Sequence, residues 1–323
     1  MKKIIKYMDM NKNNTTLNKI PENLLEILAC PDCRSDLDYD SSLKLVCSEC
    51  SLEYKVIDGI PILLPSIIGN DQVLANRSFS PEYRAILKEE TQLKMDKYGQ
   101  ADMDLIDGPS EKKEKFLEIG CGRGRVCNNY SALKRFKIVV GLDLSIDALV
   151  LAKKISDENN LNSYFVCGDI ENPPFKSNSF DLVFGGGSFE HFKNTKKGIT
   201  SLRYIVEEKG EVVLTVPCIS LTTLLQGIIT GNTPDIFILR GLYNFLHTTI
   251  LKDKYRMFGF EYSFLPKRFS QDFNENGFKT YAYGNYNVEY DLKFIPFGKK
   301  YINRILKKKI FWPMLYLKCK RLK

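Results

Sequence analysis

The chain has 323 residues, enough for about two domains at roughly 150 residues each, which excludes a peptide or a lone small module. Hydrophobic residues at 44% and charged residues at 27% are the balance of a globular protein rather than a disordered or membrane-spanning one. The net charge of +8 sits at one end: no acid follows Asp291 while eleven lysines and arginines do, which leaves residues 1 to 291 at −3 and excludes a uniformly basic nucleic-acid binder.

Residues 1–20 are expected to form a flexible N-terminus. Their apolar positions are broken by Lys6, Asp9 and Lys12 before a secretory h-region can form. The longest uncharged stretch, Val212 to Pro234, contains Pro217, Gly227 and Gly231, so it reads as strand plus helix and no transmembrane helix is expected. The expected location is therefore cytoplasmic, where the nine cysteines stay reduced and close pairs point to metal or catalysis.

Cys30 and Cys33, then Cys47 and Cys50 after a gap of thirteen residues, form two C-x2-C pairs. Two such knuckles bring four thiolates to the corners of a tetrahedron, which suits zinc and leaves no open position for a substrate. The expected role is structural, in a zinc ribbon spanning 21–66 whose strands include Leu43–Cys47 and Glu53–Ile57, a unit too small to fold without its metal. Leu24–Cys33 together with Asp58–Pro65 resembles the small zinc-ribbon proteins that serve as activating subunits of methyltransferases. Residues 67–113, apolar positions among many charges, are expected to be a helical linker ending near Gly108 and Pro109.

From residue 114 onward a second domain is expected. Phe116–Ile119 is a short apolar strand that runs into Gly120-Cys121-Gly122-Arg123-Gly124 and then into a helix-compatible stretch. Glycine lets the backbone approach a ligand, and a helix N-terminus offers free N–H groups. Arg125 stands where a dinucleotide fingerprint needs glycine, and Glu118 would repel a pyrophosphate, whereas a carboxylate is favourable beside an ammonium or sulfonium group. The second strand, Phe136–Asp143, ends in an acid that can take two ribose hydroxyls, with Ser145 capping the following helix. The third, Tyr164–Asp169, places Asp169 within reach of an adenine amino group.

Glu118-Ile-Gly-Cys-Gly-Arg-Gly124, Gly141-Leu-Asp-Leu-Ser145, Gly168-Asp-Ile-Glu-Asn-Pro-Pro-Phe175, Ser179–Phe184 and Phe189-Glu-His-Phe192 stand in the order and spacing of the class I S-adenosylmethionine-dependent methyltransferases. The sequence resembles their small-molecule, type 11 group. The resemblance implies that Glu118 and the glycines Gly120, Gly122 and Gly124 hold the methionine moiety, that Asp143 holds ribose, and that Asp169 with the backbone at Ile170 holds adenine. Cys121, Leu144 and Gly186 complete the cofactor-binding set. Asn172-Pro-Pro-Phe175 spells a tetrad used on exocyclic adenine amines, but it follows the third strand rather than the fourth, so it is read as a loop.

His191, just after the fourth strand, is the candidate base, with Glu190 its neighbour. Beyond the fifth strand, Gly210–Pro217, residues 218–265 are expected to insert as a helical lid over the acceptor pocket. Its aromatic residues either meet a hydrophobic or glycan acceptor or pack an extra layer. A helix over Phe269–Asn276, strands over Phe278–Gly284 and Pro313–Arg321, and a basic amphipathic segment over 293–311 close the chain. The expected fold is α/β: a Rossmann-like, seven-stranded, mostly parallel sheet with a helical lid, occupying 114–323 behind the ribbon. The expected cofactors are S-adenosylmethionine and structural zinc, and the expected acceptor is a small molecule, with a sugar or lipid-linked glycan as the specific form. RNA is the alternative acceptor, DNA is not expected, and a non-catalytic scaffold is the competing class. The basic C-terminus offers a peripheral contact with an anionic membrane at its inner face.

Overall fold

The computed structural model describes residues 20–39, 44–67, 93, 97–107, 113–192, 194–221, 223–224, 232–250, 261–286 and 308–323. Residues 1–19, most of the linker, residues 222 and 225–231 of the expected lid and the basic segment up to residue 307 lie outside them.

The elements run in chain order: α1 (Glu22–Leu25), β1 (Leu37–Tyr39), β2 (Lys44–Cys47), β3 (Glu53–Ile57), β4 (Ile60–Leu63), α2 (Lys97–Ile106), β5 (Lys115–Ile119), α3 (Arg125–Ala132), β6 (Ile138–Asp143) and α4 (Ile146–Glu158). β7 (Ser163–Gly168), β8 (Phe180–Gly186), a 3-10 turn (Phe189–His191), α5 (Thr195–Ile205) and β9 (Val206–Pro217) complete the central part. β10 (Asn232–Pro234), α6 (Phe237–Phe245) continuing as a π-helical turn (Leu246–Ile250), β11 (Glu261–Ser263), α7 (Pro266–Glu275), β12 (Phe278–Asn285) and β13 (Met314–Arg321) follow.

The seven expected strands are present in the order β7-β6-β5-β8-β9-β13-β12. The first five run parallel, and β13 inserts antiparallel to both β9 and β12. Their residues alternate between faces as strand geometry requires. Leu117, Val140, Leu142, Val166, Val183, Val212 and Leu214 pack on one face, while Phe116, Val139, Phe165, Leu182, Phe184 and Val213 pack on the other. The covering helices start where their caps allow: Ser145 Oγ accepts from Ala148 N, Asn194 Oδ1 accepts from Lys197 N, and Pro266 opens α7.

The ribbon does not stand apart from this sheet. β4 pairs in parallel with β7, Ile62 opposite Cys167 and Leu63 opposite Gly168, so β1-β2-β3-β4 extend the same sheet to eleven strands. A second seam lies beside the first: Ala29 N donates to Pro174 O, Lys176 N donates to Ile27 O, and Leu28 bridges Phe175 antiparallel. The Asn-Pro-Pro-Phe tetrad is thus the loop expected, and its C-terminal half docks the ribbon. Asn23 donates to the Tyr164 hydroxyl at 3.0 Å and the Arg34 guanidinium lies 3.9 Å from the centre of the Tyr204 ring. Leu24, Leu28, Leu45, Val56 and Leu63 join the core face that holds Leu142 and Val166, so both parts share one hydrophobic core.

The lid region contains α6 with its π-helical extension and the parallel pair β10-β11. Of its described aromatics, Tyr243, Tyr262 and Phe264 are buried, while Phe245 is exposed. Phe264 packs with Phe189, Phe269 and Phe273 in a cluster of rings 4.6 to 6.3 Å apart, so these residues form a packed layer rather than a pocket wall. Residues 251–260 lie outside the described part. No helix among the described residues is long and apolar enough to cross a membrane.

Candidate cofactor cradle and four-cysteine centre

The four ribbon cysteines converge, with all their Sγ atoms within 4.8 Å of one another. Cys33 and Cys47 are separated by 3.3 Å, and Cys50 lies 3.6 Å from both Cys30 and Cys33. A tetrahedron of thiolates around zinc at about 2.3 Å has edges of about 3.8 Å, so the set fits that ion. Both knuckles are built alike. Arg34 N donates to Cys30 O, Ser51 N donates to Cys47 O, and Arg34 (φ 68°) and Ser51 (φ 55°) take the left-handed conformation directly after the second cysteine of each pair. Tyr54 donates from its hydroxyl to Asp32, and Asp32 accepts from the Ser66 backbone, so a side chain between the two cysteines of the first knuckle ties the ribbon to its exit.

At the C-terminal edge of the parallel strands, the sequence-predicted cofactor residues come together. Glu118 on β5 stands opposite Gly141 on β6, and Asp143 at the end of β6 stands opposite Cys167 on β7. The glycine turn needs its glycines: Gly120, Gly122 and Gly124 have φ of 63°, 53° and 69°. A Cβ on Gly120 would lie 2.5 Å from the Cβ of Ser188, and one on Gly124 would lie 2.9 Å from the Phe165 ring.

Each acid has backbone partners. Glu118 Oε2 accepts from Cys127 N at 2.9 Å on the first turn of α3. It is only 6% exposed, and burial pushes its carboxyl up to about 7 against the helix N–H and the Arg125 charge, which pull it down. Asp143 accepts from Gly122 N on one oxygen and Ser145 N on the other, both at 2.8 Å, so it clamps the glycine turn to the start of α4. Burial raises its carboxyl, and these N–H groups oppose the rise. Asp169 accepts from Glu171 N and from Asn172 Nδ2, which folds the loop after β7 into an Asx turn carrying Ile170. Leu144 lies between the two acids of the second and third strands and its carbonyl meets the Cys167 thiol. Cys121 packs its sulfur toward Gly141, and burial holds its thiol protonated.

The turn after β8 separates the two candidate catalytic residues. Glu190 is 3% exposed and His191 is half-buried. Three residues that the sequence did not single out complete the surroundings. Asp102 on α2, 4% exposed, accepts from Arg125 on α3 at 3.0 Å and from the hydroxyl of Tyr286 beyond β12, and its Oδ1 lies 3.7 Å from where a Cβ on Gly186 would be. Nothing in the linker marks Asp102, because its three partners lie at the ends of other elements. Tyr286 is the second, and Glu261 on β11, whose charge acts on Glu190, is the third.

The residues fit S-adenosylmethionine. A buried carboxyl at Glu118 suits a cationic partner, the positive-φ glycines leave the floor bare, and the buried Ser188 Oγ and Glu190 Oε2 beside the turn have no hydrogen-bond partner.

Two family models match. Residues 117–214 match the methyltransferase domain and residues 22–59 match Trm112p-like protein. The ribbon is 52% identical over 44 residues to a UPF0434 protein of Shewanella sediminis, covering 13% of this chain and 73% of that protein. The second part is 30% identical over 114 residues to norajmaline N-methyltransferase of Rauvolfia serpentina, covering 34% of this chain and 38% of that enzyme, so the chain spans well under half of that relative. Among solved structures, the complex of the Haloferax volcanii Trm112 methyltransferase activator with a putative methyltransferase aligns with a TM-score of 0.51 at 14% identity, over 80% of this chain and 100% of that one. Phosphoethanolamine N-methyltransferase 2 of Haemonchus contortus with S-adenosyl-L-methionine aligns at 0.53 and 15% identity, over 84% of this chain and 63% of that one. These likenesses match the sheet and its helices, and the sequence matches place both modules in one polypeptide: the chain carries a Trm112p-like zinc-ribbon domain followed by a methyltransferase domain.

Proposed function

We propose that the protein transfers a methyl group from S-adenosylmethionine to a small-molecule acceptor. The observation that carries this reading is the row of acids at three successive strand ends, Glu118, Asp143 and Asp169, around a glycine turn that side chains would block. A non-catalytic scaffold has no need of a buried carboxyl held at the start of α3 or of three left-handed glycines.

When bound, S-adenosylmethionine supplies a methyl carbon activated by its sulfonium. Glu118 and the glycine turn hold the amino-acid end, Asp143 the ribose, and Asp169 with the Ile170 backbone the adenine. The Asp102–Arg125–Tyr286 contacts hold α2 beside the end of β8 and tie it to α3. Such positioning supplies most of the acceleration of an in-line displacement. His191, half-buried in the turn after β8, would take the proton where the acceptor is a hydroxyl. The buried lid aromatics Tyr262 and Phe264 are core residues and lend the glycan form of the acceptor no support, whereas Phe245 on α6 is exposed. A contact between the basic C-terminus and an anionic membrane rests on charge alone.

Calorimetry with S-adenosylmethionine and labelled-methyl transfer into fractionated cell extract test this reading. Saturable binding and label in the small-molecule fraction are expected. Label in RNA, or no binding by folded protein, would overturn it.

A further inference from the structure

The zinc ribbon buries a hydroxyl beside one of its four cysteines. Tyr54 lies on β3, whose alternation turns Tyr54 and Val56 inward while Glu53 and Lys55 stay exposed, so a phenylalanine would fill the same place in the core. The residue is 6% exposed, and a buried tyrosine hydroxyl needs a partner. Two acceptors stand within its reach: Cys30 Sγ at 3.0 Å and Asp32 Oδ2 at 3.1 Å. Both belong to the first knuckle, Cys30-Pro31-Asp32-Cys33, and the hydroxyl has one hydrogen to offer them.

Four thiolates around one zinc ion leave two negative charges to be spread over the sulfurs and the groups that donate to them. Cys33 and Cys50 are exposed, so solvent can serve their sulfurs, whereas Cys30 and Cys47 are buried and depend on the protein. Cys47 Sγ accepts from Cys50 N at 3.5 Å. Cys30 Sγ has the Tyr54 hydroxyl. A coordinated sulfur has no proton to give, so in the loaded centre Tyr54 is the donor of this contact. Asp32 keeps its Ser66 N and Ser66 Oγ donors when the Tyr54 hydrogen turns to sulfur, so the carboxylate is matched in either arrangement.

We infer that Tyr54 is a positioning residue of the zinc centre, whose hydroxyl donates to the Cys30 thiolate, draws charge from that sulfur and so retains the metal. This role is independent of the methyl-transfer reading. The bond is charge-assisted and lies in the core, where it is stronger than a neutral hydrogen bond at the surface. A phenylalanine at the same position keeps the packing but leaves the Cys30 sulfur more electron-rich and the metal easier to lose. Asp32 competes for the same hydrogen. An amide oxygen in its place attracts that hydrogen less, so weakening Asp32 and deleting the hydroxyl act on Cys30 in opposite directions.

The test uses the full chain with zinc or cobalt(II) as the metal. Competition against a chromophoric chelator is expected to show zinc bound about 10- to 100-fold more weakly by Tyr54→Phe, the usual cost of removing a group that orients a metal ligand. In the cobalt form, the sulfur-to-metal charge-transfer band is expected to move to lower energy in Tyr54→Phe, because a sulfur without its donor gives up an electron more readily, and to higher energy in Asp32→Asn. A hydroxyl that only packs, or that serves only Asp32, would leave the band of Tyr54→Phe in place. Zinc affinity and a cobalt band equal to wild type in folded Tyr54→Phe would therefore overturn the inference. So would a band that stays in place or moves to lower energy in Asp32→Asn, a result that decides by itself if Tyr54→Phe yields no folded protein.

Discussion

Leu63 of the ribbon pairs in parallel register with Gly168, the residue directly before Asp169. The Leu63 carbonyl lies 3.2 Å from where a Cβ on Gly168 would be, so the strand that leaves the zinc ribbon sets the position of the loop that holds adenine in the proposed site. Ala29 and Lys176 close the far end of that loop through the second seam.

Loss of the metal is therefore expected to reach the cofactor. Cys30→Ser or chelation of the ribbon should lower the melting temperature and weaken S-adenosylmethionine binding by about 5- to 150-fold, the usual span of coupling between sites. Calorimetry on metal-free and metal-loaded protein measures it. Undiminished affinity in the metal-free chain would show that β4 and β7 are energetically independent.

The acid at the end of β6 holds two backbone N–H groups as well as the proposed ribose contact. Asp143→Ala leaves the Gly122 and Ser145 amides without it, and binding of S-adenosylmethionine is expected to fall below detection while circular dichroism stays close to wild type. Asp143→Asn, which retains one acceptor oxygen, should bind weakly. Wild-type affinity in Asp143→Ala would remove the ribose role.

Glu118 links cofactor binding to pH. Its carboxyl is raised from 4.5 to about 7, so between those values the folded state holds a proton that the unfolded chain releases. Stability without cofactor should therefore fall as pH rises from 4.5 to 7, by about 3 kcal/mol at most, and Glu118→Gln should flatten that part of the profile. A cationic ligand favours the ionised carboxyl, so binding at pH 6 should release a proton, visible as a dependence of the binding heat on the buffer's ionisation enthalpy. Binding heats that are the same in every buffer would contradict it.

Gly120 admits no side chain. With φ at 63° and a Cβ only 2.5 Å from that of Ser188, Gly120→Ala must displace the turn after β8. Loss of cofactor binding is expected, with a destabilisation of about 1 to 3 kcal/mol measurable by urea unfolding. Ser188→Gly in the same chain removes the opposing atom and should recover part of the stability, leaving the strain of the left-handed backbone.

Asp102 joins α2, α3 and the segment after β12. Asp102→Ala leaves the Arg125 guanidinium and Tyr286 hydroxyl without this acceptor, and the expected effect is a larger loss in turnover than in melting temperature. A fall confined to the melting temperature would assign Asp102 to folding alone.

Local pattern determined much of this protein. The C-x2-C pairs at Cys30 and Cys47 specified a metal knuckle because the chelate geometry is contained in a few neighbouring residues. The strand, glycine turn and helix from Phe116 to Ala132 were legible because side-chain periodicity and the need for positive φ at Gly120, Gly122 and Gly124 act over one or two turns of chain. The acids at Glu118, Asp143 and Asp169 followed from the same alternation, which delivers strand ends to one edge. Only the tertiary structure decided that β4 joins β7, because backbone N–H and C=O groups are the same at every residue and an edge strand carries no mark of its distant partner. It alone gathered Asp102, Arg125 and Tyr286, since their separations along the chain exceed any helix or strand repeat. It also turned the aromatic residues Tyr262 and Phe264 into core, a choice the sequence left open because a ring that stacks on a ligand and a ring that packs on Phe269 have the same composition and spacing.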